Sequence, residues 1–204
     1  MTFLIFLVLT YRPLPPAQYR WHDYQLVPIR YDDREPIRAW RNAQLEVLRQ
    51  GAPLTAAQQE GYFQRVVMPL FEQEQPGQLL FSLLHRGKLI AYGGLVHISW
   101  PDGRAEVSFL AEPGRAAEPA TYRQDFRAHL RLLGQVAFED LKFNRLFTET
   151  YDIRPAHVAV LEEAGFRLEG RLRQHVQLQP GTFADSLMHG QLAADYATAL
   201  GSAL

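Results

Sequence analysis

Asn144-Arg-Leu-Phe-Thr-Glu-Thr-Tyr-Asp-Ile-Arg-Pro-Ala-His-Val-Ala-Val-Leu-Glu-Glu-Ala-Gly-Phe-Arg-Leu-Glu-Gly-Arg171 reads as strand, short loop, helix, tight stop and second strand. Leu146, Phe147 and Tyr151 stand among threonines, as in a buried strand. Pro155 can open the helix, because a first-turn residue needs no amide hydrogen. Val158, Leu161 and Ala164 recur at helical spacing, and Gly165 can take the left-handed conformation that ends a helix. Phe166 is then expected to lock back onto the last turn, and Asp152 to cap the first. Any α/β protein can own one such unit.

The preceding stretch, Leu133-Gly-Gln-Val-Ala-Phe-Glu-Asp-Leu-Lys-Phe-Asn-Arg145, narrows the choice. It resembles the end of the cofactor-binding helix of GNAT N-acetyltransferases, where Ala-Phe-Glu-x-Leu runs into an Asn-Arg pair. The Leu161-Glu-Glu-Ala-Gly-Phe166 ending resembles the signature of the same superfamily's C-terminal half. The resemblance covers about Tyr24 to Leu192. It implies a mixed α/β fold in which a central, mostly antiparallel sheet is flanked by helices and splayed between its fourth and fifth core strands.

Composition bounds the remainder. The chain has 204 residues with 47% hydrophobic content, enough for one sizeable core. Its 21 basic and 22 acidic residues leave a net charge of -1, so no global field favours nucleic acid or an anionic membrane. It contains no cysteine, which excludes disulfides, thiolate metal sites and a Cys nucleophile and is consistent with a cytoplasmic setting. The apolar run Phe3–Leu9 is far shorter than the roughly 20 residues that span a bilayer. It reads as an accessory edge strand, a homodimer contact or residues upstream of the true start, with Pro13-Leu-Pro-Pro16 as a stiff connector. The expected organisation is an accessory segment over 1–23, one domain over 24–192 and a tail over 193–204.

Tyr24–Arg30 reads as the first core strand, followed by a helix through Ile37–Leu48. Thr55 with Gln58 makes a capping box for a second helix. Three strands follow, over Gln78–Leu84, Leu89–Trp100 and Arg104–Ala111, with Pro101-Asp-Gly103 as a turn. Leu168–Leu178 and Phe183–Leu192 form a closing hairpin, and the Ala-rich end reads as a frayed helix.

The resemblance implies that acetyl-CoA lies in the splay, with Phe109, Leu110 and Ala111 offering backbone to the pantetheine arm. Glu106 then resembles a general-base glutamate, whose pKa partial desolvation would raise; its structural alternative is a pair with Arg104. The family's glycine-rich pyrophosphate loop falls on Thr121–Phe126, where Tyr122, Gln124 and Phe126 replace glycines. Arg123 and Arg127, helped by Arg115, are expected to supply charge where bare amides are lost, with Asp125 in the same turn. Arg154 and His157 fall where the family has asparagine and serine, and Leu161 where it has a proton-donating tyrosine. His157, Tyr151 and Tyr122 are the candidate acids in its place. For the acceptor, Arg41, Asn42 and His97 lead, with Trp40, Arg49, Gln50, Trp100 and His175 nearby in the pattern. The seven histidines show no metal-ligand spacing. The function implied is acetyl transfer from acetyl-CoA to a primary amine of a small molecule, an amino sugar by analogy. Acetylation of a protein amine and a GNAT-like binding module without catalysis stay open.

Overall fold

A computed structural model describes residues 9–15, 18–48 and 50–201. Arg49 and the apolar run up to Val8 lie outside the described residues. The strands are β1 (Tyr19–Trp21), β2 (Tyr24–Pro28), β3 (Leu79–His85), β4 (Lys88–Ser99), β5 (Arg104–Ala111), β6 (Arg145–Tyr151), β7 (Arg167–Gln179) and β8 (Thr182–Leu192). The helices are α1 (Arg34–Asn42), α2 (Ala56–Tyr62), α3 (Pro113–Ala116), α4 (Pro119–Gly134), α5 (Pro155–Glu163) and α6 (Ala193–Gly201). The strands form one sheet in the order β1-β2-β3-β4-β5-β6-β8-β7. Every pairing is antiparallel except β5 with β6. That is the mixed, mostly antiparallel sheet anticipated from the sequence. Among the described residues no helix is long and apolar enough to cross a membrane.

Local chemistry explains the elements that carry the site. Thr55 accepts from the Gln58 amide and Gln58 returns a bond to the Thr55 amide, so α2 begins at the anticipated capping box. Pro155 sits in the first turn of α5. At its other end Gly165 has φ 92°, Phe166 N–H donates to Leu161 O and Gly165 N–H to Glu162 O, closing a Schellman motif. Asp152 does not cap this helix: its carboxylate accepts from Arg171, and its backbone N–H donates to Asp185 O. At Gly94, φ is 151° and an added Cβ would lie 2.0 Å from the Leu79 carbonyl oxygen, so β4 can approach β3 this closely only with glycine.

Three features extend the sequence reading. The sheet starts before Tyr24, because Trp21 turns through His22, at φ 50°, and pairs back as β1 on β2. Tyr11 is fully buried ahead of the prolines; its hydroxyl donates to Leu80 O and accepts from Leu80 N–H, and its ring stacks on Phe71. The first turns of α6 are docked on the domain: Tyr196 is buried against Gly134 and Phe138, and its hydroxyl donates to Glu139.

The helical layer around α4 hangs on one acid. Asp125 is wholly buried and accepts both a two-nitrogen fork from Arg115, at 2.6 and 2.8 Å, and the Tyr24 hydroxyl at 2.8 Å. It thereby ties α3, α4 and β2 together. Removing one partner of a buried pair leaves an uncompensated charge, at a cost of about 3–5 kcal/mol. Asp125→Ala is therefore expected to lower the unfolding free energy by about 3 kcal/mol or more, read from urea denaturation.

Candidate active site

β5 and β6 pair only from Arg104 with Arg145 to Glu106 with Phe147. Beyond that point β5 continues to Ala111 and β6 to Tyr151 without pairing to each other. A cleft of about 240 Å³ occupies the gap, walled by Val107, Ser108 and Phe109 on one strand and Thr148, Thr150 and Tyr151 on the other. A strand edge without a partner presents its peptide groups to whatever enters. The Ser108 carbonyl accepts from His129 Nε2 at 3.1 Å. Phe109, Leu110 and Ala111 lie along this stretch of β5; the Phe109 ring packs on Phe126, Tyr122 and His129.

Glu106 stands at the apex of the splay, 8% exposed, and lines the cleft. It does not pair with Arg104, which binds Asp102 instead. Its Oε2 lies 2.6 Å from Nδ1 of His97, whose side chain is 66% exposed. Register explains why this contact is hard to foresee. Val96 pairs with Glu106, so plain alternation would send His97 to the opposite face. A bulge between Val96 and Ser99, with His97 at φ 48°, turns the imidazole back onto the carboxylate.

The other side of the cleft belongs to α5. Arg154 Nη2 donates to the Tyr122 hydroxyl at 2.9 Å, and that hydroxyl lies 2.6 Å from His157 Nδ1. Arg154, Tyr122 and His157 are thus joined in one hydrogen-bonded chain. His157 also stacks on Phe126 at 4.2 Å. Burial above all, then the Arg154 charge, holds its pKa well below the ordinary value, so it is neutral. Burial pushes Tyr122 up despite Arg154. Tyr151 lines the cleft near the end of β6.

The expected phosphate-binding residues part company. Asp125 and Phe126 point into the protein, Asp125 to its salt bridge and Phe126 to the aromatic cluster. Tyr122 is buried in the α5 network. Arg115 is committed to Asp125, and Arg123 pairs with Glu163. Gln124 and Arg127 are exposed on α4. The reason is that α4 begins at Pro119, so Thr121–Phe126 is helix and the Tyr122 amide already bonds Glu118 O. In the first turn, Pro119 has no amide to give, which leaves those of Ala120 and Thr121.

On the acceptor side, Arg41 lines the cleft and also a second cavity of about 350 Å³ beneath α1 and α2. Asn42 is spent on the loop it pins: its side chain accepts from Leu54 N–H and donates to Leu54 O. Trp100 donates to Pro76 O and packs on Phe143, a structural position. Sequence reasoning missed Glu149, which lines the cleft, accepts from Ser186 and lies 3.7 Å from His175. Its signal was the alternation of β6, which places Phe147, Glu149 and Tyr151 on one face.

The model of the acetyltransferase (GNAT) domain matches residues 26–188. The chain belongs to the GNAT acetyltransferase family. No curated protein sequence matches it as a relative. Among solved structures, this GNAT domain is similar to spermidine N-acetyltransferase from Vibrio cholerae in complex with CoA and spermine: TM-score 0.74, 17% identity, covering 87% of this chain and 99% of the other. A chimera of the Vibrio cholerae enzyme SpeG with hSSAT gives TM-score 0.71 at 18% identity, over 86% and 98% of the two chains. A putative acetyltransferase from T. thermophilus gives 0.67 at 16%, over 92% and 95%. At these identities the likeness is one of fold.

Behind the cleft the GNAT domain buries neutral histidines. Desolvation pushes His129 down from 6.5 to about 4, opposed by its bond to Ser108 O, and His157 is held down as well. An unfolded chain would protonate both below pH 6.5 while the folded one does not. The unfolded state therefore binds more protons between pH 6.5 and about 4, and stability falls as pH drops through that window. Each such group contributes up to about 1.4 kcal/mol per pH unit. Urea denaturation at pH 7, 6 and 5 is expected to show this decline, with a shallower slope in His129→Phe.

Proposed function

We propose that the protein transfers an acetyl group from acetyl-CoA to a primary amine of a small molecule by direct attack. The observation that carries this reading is the Glu106–His97 pair at the apex of the β5–β6 splay, beside the unpaired edge of β5. The thioester fits the cleft because that edge can hydrogen-bond the pantetheine arm and face the carbonyl on which negative charge develops. The amine arrives as an ammonium. Glu106 takes one proton and His97, largely in solvent, relays it outward. The amine nitrogen then bonds to the acetyl carbon, the carbon–sulfur bond breaks, and the second nitrogen proton ends on the CoA thiol. The chain has no cysteine to form an acyl-enzyme, in keeping with direct attack.

For the diphosphate, the candidates are the Ala120 and Thr121 amides at the start of α4 and the exposed Arg127, with Arg123 if it leaves Glu163. Arg154 stands at the start of α5 on the cleft wall. On this reading side chains contribute more to the cradle than bare backbone does. The similarity to spermidine N-acetyltransferases supports a small-molecule amine as acceptor. One observation favours the reading of a binding module without catalysis: Tyr122, Asp125 and Phe126 are buried at the positions where the family keeps an open loop.

Calorimetric titration with acetyl-CoA separates the two. Micromolar binding, about 8 kcal/mol, is expected, whereas no binding would sink the enzyme reading. Glu106→Gln is then expected to bind acetyl-CoA as wild type does while losing about 100-fold or more in kcat. Full turnover in that variant would remove Glu106 as base.

A further inference from the structure

Resting on that reading, we infer that the acceptor is an α-amino acid with a bulky apolar side chain, selected by the cavity beneath α1 and α2 and by Arg41. The cavity, about 350 Å³, is walled mainly by apolar groups, Ile29, Ile37, Leu54, Phe63, Leu80 and Leu110 among them. Its polar lining is largely committed to the protein. Gln59 donates to Arg34 O, Gln58 is held in the α2 capping box, and Gln78 donates to the Tyr62 hydroxyl. Among the described residues lining it, Arg41 is the one charged side chain, and no carboxylate is present. Such a space takes an apolar body and at most one anionic group. It disfavours a polyamine inside the cavity, whose ammonium groups would meet Arg41 and, among the described residues lining it, no carboxylate.

Arg41 is built to hold an anion. Its Nε donates to Gln50 and its Nη1 to the Tyr92 hydroxyl, both at 2.8 Å, which fixes the plane of the guanidinium. Its Nη2 has no protein acceptor among the described residues, and no carboxylate there pairs with it. A carboxylate would complete the arginine's donor set.

Position supplies the link between anion and amine. Arg41, Leu48, Val96, Ser108 and Phe109 line both the cavity and the cleft, so Arg41 stands at their junction. A carboxylate on Arg41 leaves a nitrogen one carbon away at the mouth of the cleft, on the same side of the sheet as Glu106. The third substituent of that carbon then points into the apolar space. An amine, a carboxylate and an apolar group on one carbon describe an α-amino acid.

The test compares acetylation of L-phenylalanine, L-leucine, phenylethylamine, spermidine and glucosamine by the full-length protein, following release of the CoA thiol. L-phenylalanine is expected to exceed phenylethylamine, which lacks the carboxylate, by tenfold or more in kcat/KM. Arg41→Gln is expected to erase that preference chiefly through KM, and Leu54→Trp, which fills the cavity, to raise KM for L-phenylalanine while acetyl-CoA affinity is unchanged. Spermidine or glucosamine turned over as well as L-phenylalanine, or a preference intact in Arg41→Gln, would overturn the inference and leave the acetyltransferase reading standing. If no amine is acetylated, titration of L-phenylalanine alone decides: binding lost in Arg41→Gln supports the cavity assignment without the catalysis, and no binding to wild type overturns it.

Discussion

β5 and β6 share three residue pairs and then diverge, and the rest of the site follows from that early parting. Two parallel strands that separate leave facing rows of peptide groups, which cannot be closed over by apolar side chains without leaving them unpaired. The protein therefore keeps a cleft there, with His129 bonded to the Ser108 carbonyl on one wall and Thr148 and Thr150 lining the other. The last shared rung, Glu106 with Phe147, puts a carboxylate at the apex, where it lines the cleft yet stays mostly out of solvent.

The helices on one side of the sheet manage the burial that this geometry imposes. Phe109, Phe126, Tyr122 and His157 form a ring-on-ring cluster under the cleft, and the polar atoms within it are joined in one chain from Arg154 through Tyr122 to His157. Neutral imidazoles suit such a place because they hydrogen-bond without bringing a charge that must be desolvated. Asp125 is the exception, and it is tolerated because two nitrogens of Arg115 and the Tyr24 hydroxyl satisfy it. The same turn of α4 that would be an open phosphate loop in a glycine-rich relative here ties α3 and β2 to the core. Stability has been placed where phosphate recognition was anticipated.

On the opposite side, an apolar cavity and a charged cleft meet at one arginine. Gln50 and Tyr92 hold that arginine from two directions, and Asn42 pins the loop on which Gln50 sits to Leu54. The residues around the cavity thus act at two removes, by fixing the loop and by fixing the guanidinium. Similarity in fold to spermidine N-acetyltransferases extends over most of the chain, and the cavity beside Arg41 is lined mainly by apolar side chains.

Local sequence determined the parts whose physics is local. The Thr55–Gln58 capping box, the Pro155 start and Gly165–Phe166 stop of α5, and the boundaries of β5 all depend on neighbours within a few residues, and they were legible from the chain alone. The family was legible for the same reason, because its signature is a contiguous run. Tertiary structure decided what depends on register and on distant partners. A bulge, which adds one residue to a strand and inverts its faces, brought His97 onto Glu106. An earlier start to α4 turned Asp125 and Phe126 inward, since a helix commits its amides and repeats its faces every 3.6 residues. Arg41 was visible as a charged residue on a helix, but its place between two cavities arises only when α1, β4 and β5 pack together, residues 41, 92 and 108 being far apart in the chain.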